Sequence, residues 1–75
     1  MQQEITVYVA LLNEGTDVWR PVDAKHIEGD VYRIAEINSV PSDENWQFSP
    51  GDLVRCRERT FGDSGNQLVA EELIG

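Results

Sequence analysis

The run Leu53-Val54-Arg55-Cys56-Arg57-Glu58-Arg59-Thr60-Phe61 alternates with a period of two. Val54, Cys56 and Thr60 share one side, while Arg55, Arg57 and Arg59 share the other. Successive side chains of an extended strand point to opposite faces, whereas a helix repeats about every 3.6 residues. The pattern therefore demands a strand with one buried and one wet face. Such a strand needs partners, so the rest of the chain must build a sheet around it.

Four other stretches supply them. Glu4–Asn13 (EITVYVALLN) sets Ile5, Val7, Val9 and Leu11 against Thr6, Tyr8, Ala10 and Leu12. Both sets are largely apolar, which predicts a central or doubly covered strand. The turn Glu14-Gly15-Thr16-Asp17 leads to Val18–Ile27, where Val18, Val22 and Ala24 point inward and Trp19, Asp23 and Lys25 outward. Pro21 lacks a backbone donor and places this run at a sheet edge or a bend. Glu28-Gly29-Asp30 is a tight reversal into Val31–Ile37, rich in β-branched and aromatic residues. After the Gly-rich turn Gly62–Gln67, the closing segment Leu68–Ile74 reads as a strand or one short helix. A strand is favoured, because the segment can pair back across the turn.

Between the third and fourth runs lies a long connection, Asn38–Asp52, which carries Trp46 and Phe48. Loops of this length are uncommon in compact domains and are often functional. The chain has 75 residues, enough for a single domain spanning residues 1–75 with a small core. About five short strands predict an all-β fold, a small antiparallel SH3-like barrel or rolled sheet. Closing the sheet removes exposed edges. The alternatives are an OB-like barrel, or a sheet with a short C-terminal helix.

Charge narrows the partners. Fourteen Asp and Glu face six Lys and Arg, for a net charge of -8 and a pI near 4.3. Nucleic acid and anionic membranes are disfavoured, since both require cations. A basic protein partner would be steered toward the chain; the alternative is that the charge only keeps a small domain soluble. No apolar run approaches the ~18 residues of a membrane span. Cys56 is the one cysteine, so no internal disulfide forms. With the polar start Met1-Gln2-Gln3-Glu4, this predicts a complete small cytoplasmic protein.

Chemistry-bearing clusters are sparse. His26 and Cys56 are each single, and neither has metal-ligand spacing, so the prediction is no metal, no cofactor and no enzyme activity. Cys56 reads as a core residue and His26 as a solvated strand end. The acidic pairs Asp43-Glu44 and Glu71-Glu72 and the turn Glu28-Gly29-Asp30 lack a calcium-loop pattern. Arg55, Arg57 and Arg59 read either as cross-strand partners of Glu71, Glu72, Asp23 and Glu36, or as a candidate anion site. Trp19, Arg20, Tyr32, Trp46 and Phe48 are candidate protein-binding residues, grouped as a groove beside the long loop. The alternative for Trp46 and Phe48 is a plug in one open end of the barrel.

The segments Val18-Trp19-Arg20-Pro21-Val22, Gly29–Ile34 and Trp46–Cys56 together resemble a group of short bacterial proteins. Its members share the order V-W-R-P-V, Y-R-I, W-x-F loop and G-D-x-V-x-C strand. The resemblance implies a bacterial cytoplasmic origin and carries no assigned activity or site residues. The resulting expectation is a non-enzymatic protein-interaction module, monomeric or weakly dimeric. One version is an immunity- or antitoxin-like inhibitor of a basic partner; the competing version is a small-anion or enzymatic site at the Arg stripe with His26.

Overall fold

The computed structural model describes residues 4–16, 18–62 and 65–75. Met1–Gln3, and Asp17, Asp63 and Ser64 of the two expected turns, lie outside the described residues. Five strands follow one another: β1 (Glu4–Ala10), β2 (Trp19–Glu28), β3 (Val31–Ile34), β4 (Leu53–Thr60) and β5 (Asn66–Leu73). They close into a barrel in the order β1-β2-β3-β4-β5, the small all-β, SH3-like architecture the alternation predicts. The last segment is a strand.

Consecutive strands pair antiparallel. An odd number of them leaves the first and last parallel when the sheet closes. That seam is short, with only Val7↔Leu68 and Tyr8↔Val69 in register. The β4–β5 ladder matches β1–β2 in length, with seven residue pairs each. It carries a bulge at Arg55/Cys56, where Arg55 faces Glu72 and Cys56 faces Ala70, so Glu71 is the extra residue.

The inward sets form the core: Val7 and Val9, Val22 and Ala24, Ile34, Val54 and Cys56, and Ala70. β1 is flanked by strands on both sides as expected, but only its Val7–Val9 face is fully buried. Pro21 lies in the half of β2 that pairs with β1 alone, since β3 begins its pairing at Ala24. A missing N–H costs nothing on that open side.

Two strands are shorter than their sequence patterns. β1 ends at Ala10 because the chain turns away: Leu11 N–H donates to Val18 O at 2.9 Å, and Asn13 takes a left-handed φ of 64°. β3 ends at Ile34 because a side chain replaces its continuation. Asn38 accepts from the Asp23 N–H at 3.1 Å and donates to Asp23 O at 2.8 Å and Ala35 O at 2.7 Å. The amide thus substitutes for a strand partner and starts the long loop.

Candidate functional site

The loop is sewn to the barrel. Leu11 and Trp46 form a bridge, Leu12 N–H donates to Asn45 O at 2.7 Å, and Gln47 N–H donates to Ala10 O at 2.9 Å. Beyond it, Phe48 is 6% exposed within the core, and Trp46 packs against the same cluster. The loop returns through Gly51, whose φ of 92° favours glycine and whose N–H donates to Ile34 O at 2.7 Å.

Glu44 holds the middle of the loop. Its carboxylate receives Nε and Nη2 of Arg20 in a two-pronged ion pair, and Oε1 also accepts the Trp46 indole N–H at 3.0 Å. The Glu44 side chain is only 12% exposed. These bonds stabilise the charged form, so the Arg20 guanidinium, then the indole, hold the Glu44 carboxyl below its ordinary 4.5. A carboxylate depressed in the fold contributes stability above its unfolded pKa and loses it as pH falls through the folded value. Urea midpoints of the wild type should therefore fall more steeply than those of Glu44→Gln between neutral pH and values below 4.5. Parallel profiles for the two proteins would contradict this.

The candidate groove residues are divided among separate places. Arg20 and Trp46 meet at Glu44, and Phe48 sits inside. Tyr32 lies at the other side of β2, its ring 5.0 Å from that of His26. Trp19 alone stands on the outer wall, and there it joins two rings that local sequence did not select. Phe61 lies 5.3 Å from Tyr8 and 5.8 Å from Trp19, centroid to centroid, and the Arg59 guanidinium sits 5.4 Å over the Trp19 ring. This group flanks the parallel seam. Val69 pairs with the outward residues Tyr8 and Arg57, yet it is 0% exposed and lies outside the core cluster. Trp19, Gln47, Arg59, Val69, Ala70 and Glu71 line a shallow depression of about 310 Å³ here.

The Arg stripe is largely neutralised by its own neighbours. Arg55 binds Glu72 at 2.6 Å and Asp30 at 3.5 Å, and Arg57 binds Glu71 at 3.1 Å. Exposed pairs of this kind contribute roughly 0.2–1 kcal/mol each. Asp23 and Glu36, the other acids expected to pair, make no such contact among the described residues; the Asp23 backbone is held by Asn38 instead. Arg59 leans on Trp19 and makes no ion pair among the described residues.

His26 donates Nε2–H to Gly29 O at 2.8 Å, which locks the β2–β3 reversal. Cys56 is 4% exposed, and burial, then the nearby Asp30 and Glu71 charges, push its thiol up to about 12. A thiol so protonated is a poor nucleophile at neutral pH. Burial likewise raises the Tyr32 hydroxyl. Among the described residues no group of three or more His, Cys, Asp or Glu side chains is placed to hold a metal ion. Nor is any helix among them long and apolar enough to cross a membrane. Set beside known proteins, the chain matches no family model, no curated protein and no solved structure.

Proposed function

We propose that this chain is a non-enzymatic protein-binding module of the cytoplasm, with the outer face around Trp19 as its contact surface. The observation that carries the reading is that Tyr8, Trp19 and Phe61 gather with Arg59 outside the core. Trp, Tyr and Arg are the residue types that dominate binding energy at protein interfaces. Three aromatic rings and a guanidinium gathered outside the core give this face the make-up of an interface. The depression between Trp19, Gln47 and Arg59 offers a seat for one side chain of a partner.

The partner fitting the rest of the surface is basic. With a net charge of -8, and with Arg55 and Arg57 tied to their own carboxylates, the long-range field is negative. Masking a cationic protein, as an immunity- or antitoxin-like inhibitor does, uses such a field to speed association. The test is retention of host proteins on the immobilised chain at low and high salt, for the wild type and for Trp19→Ala, each checked for native circular dichroism. A basic protein should be held at low salt, released at high salt, and lost with Trp19→Ala. Retention that ignores Trp19, or no basic protein at low salt, would sink the reading.

A further inference from the structure

Four of the six cations have evident partners: Arg20, Arg55 and Arg57 hold carboxylates, and Arg59 lies on Trp19. Lys25 and Arg33 are the other two, and among the described residues neither makes an ion pair. They are direct cross-strand neighbours between β2 and β3. Ala24 and Ile34 beside them are buried, so both point to the outer face. Like charges placed directly opposite in a sheet destabilise it. Glu4 faces Lys25 from β1, but the direct cross-strand neighbours of Arg33 are Lys25 and Leu53, so in a chain with fourteen carboxylates none faces Arg33 across the sheet, and that requires a reason.

The surroundings supply one. Lys25 and Arg33 line an open depression of about 490 Å³ with Glu4, Ala35, Glu36 and Ile37. That volume lies within the range of small-ligand sites. Arg33 is anchored by Nη1, which donates to Gly51 O at 3.1 Å. Among the described residues its Nε–Nη2 edge makes no hydrogen bond, and this is the same edge with which Arg20 grips Glu44. A planar fork of this kind matches a carboxylate. Glu4 and Glu36 in the same lining disfavour a dianion. Ile37, 76% exposed, offers apolar surface beside the charged pair.

We infer that Lys25 and Arg33 form a binding site for a monocarboxylate bearing a short apolar tail, which lies along Ile37. The site is separate from the outer aromatic face and from the Arg stripe, and does not rest on the protein-binding reading. The carboxylate takes the Arg33 fork and relieves the repulsion from Lys25.

Titration of the ¹⁵N-labelled chain with hexanoate, at constant ionic strength, tests this. Amide shifts should saturate on the order of 1 mM and centre on Lys25, Arg33, Ala35, Glu36 and Ile37. Hexanamide should produce none, and inorganic phosphate should bind more weakly. Arg33→Gln should weaken hexanoate at least about tenfold, whereas Arg57→Gln should leave it unchanged. Lys25→Gln should also lose affinity while melting close to the wild type, because it removes a like-charge contact with Arg33 and an opposite-charge one with Glu4 of similar size. A tripeptide ending in a free leucine carboxylate carries the same two groups. Tighter binding than hexanoate would place the carboxylate at a chain end; weaker binding would place it on a small molecule. Non-saturating shifts, equal binding of hexanamide, tighter binding of phosphate, or shifts centred on Arg55–Arg59 would each overturn the site.

Discussion

Phe48→Ala lowers the free energy of unfolding by about 3–5 kcal/mol, the cost of emptying a buried phenylalanine site. A domain of this size holds only roughly 4–11 kcal/mol in total, so the variant sits at or near the unfolding threshold. Phe48 is 6% exposed and belongs to the same cluster as Val9, Val22 and Ile34. No strand supplies it: the long loop inserts it, and the barrel strands alone leave that space unfilled. Urea denaturation measures the loss, and Phe48→Leu should recover most of it. A loss below about 1 kcal/mol would show that the core is complete without the loop.

Trp46→Ala is the second large effect, about 3 kcal/mol, at the low end for an aromatic because the ring is only partly buried. The change removes packing against the core and one of the bonds that hold the Glu44 carboxylate. Trp46→Phe separates the two, since it keeps most of the packing and deletes the indole donor. It should cost clearly less than alanine and shift the acid profile toward that of Glu44→Gln. If both Trp46 variants unfold like the wild type, the loop is an appendage of the barrel.

The strands were legible because their signals are local. Val54 and Cys56 alternate against Arg55 and Arg57, and Pro21 marks the half of β2 that lacks a second neighbour. Glu71 and Glu72 were legible as partners of the stripe, since a reversal at Gly62–Gln67 returns them beside β4. What failed to show in the sequence depends on closure. Tyr8 and Trp19 lie on the paired strands β1 and β2, but Phe61, just past β4, reaches both of them beside the place where β1 and β5 join in parallel. No local pattern announces that seam. The Asn38 clamp on Asp23 is hidden for the same reason, since an asparagine after a strand reads as an ordinary loop residue. Trp19, Arg20, Tyr32, Trp46 and Phe48 do not gather in one place, because Phe48 and Trp46 find apolar surface inside the molecule. Burial of large rings outweighs their exposure whenever the chain can reach.

The long aromatic loop is part of the fold, and the contact surface we propose is the outer face around Trp19. Native-state amide hydrogen exchange tests the first half residue by residue. The Leu12 and Gln47 amides belong to residues whose side chains face solvent, yet both are bonded across the loop, at 2.7 and 2.9 Å. They should exchange only through global opening, with the same free energy as the Ile34 and Cys56 amides of the barrel. Exchange orders of magnitude faster at Leu12 and Gln47 than at Ile34 and Cys56 would contradict it, and would return the loop to the candidate binding elements.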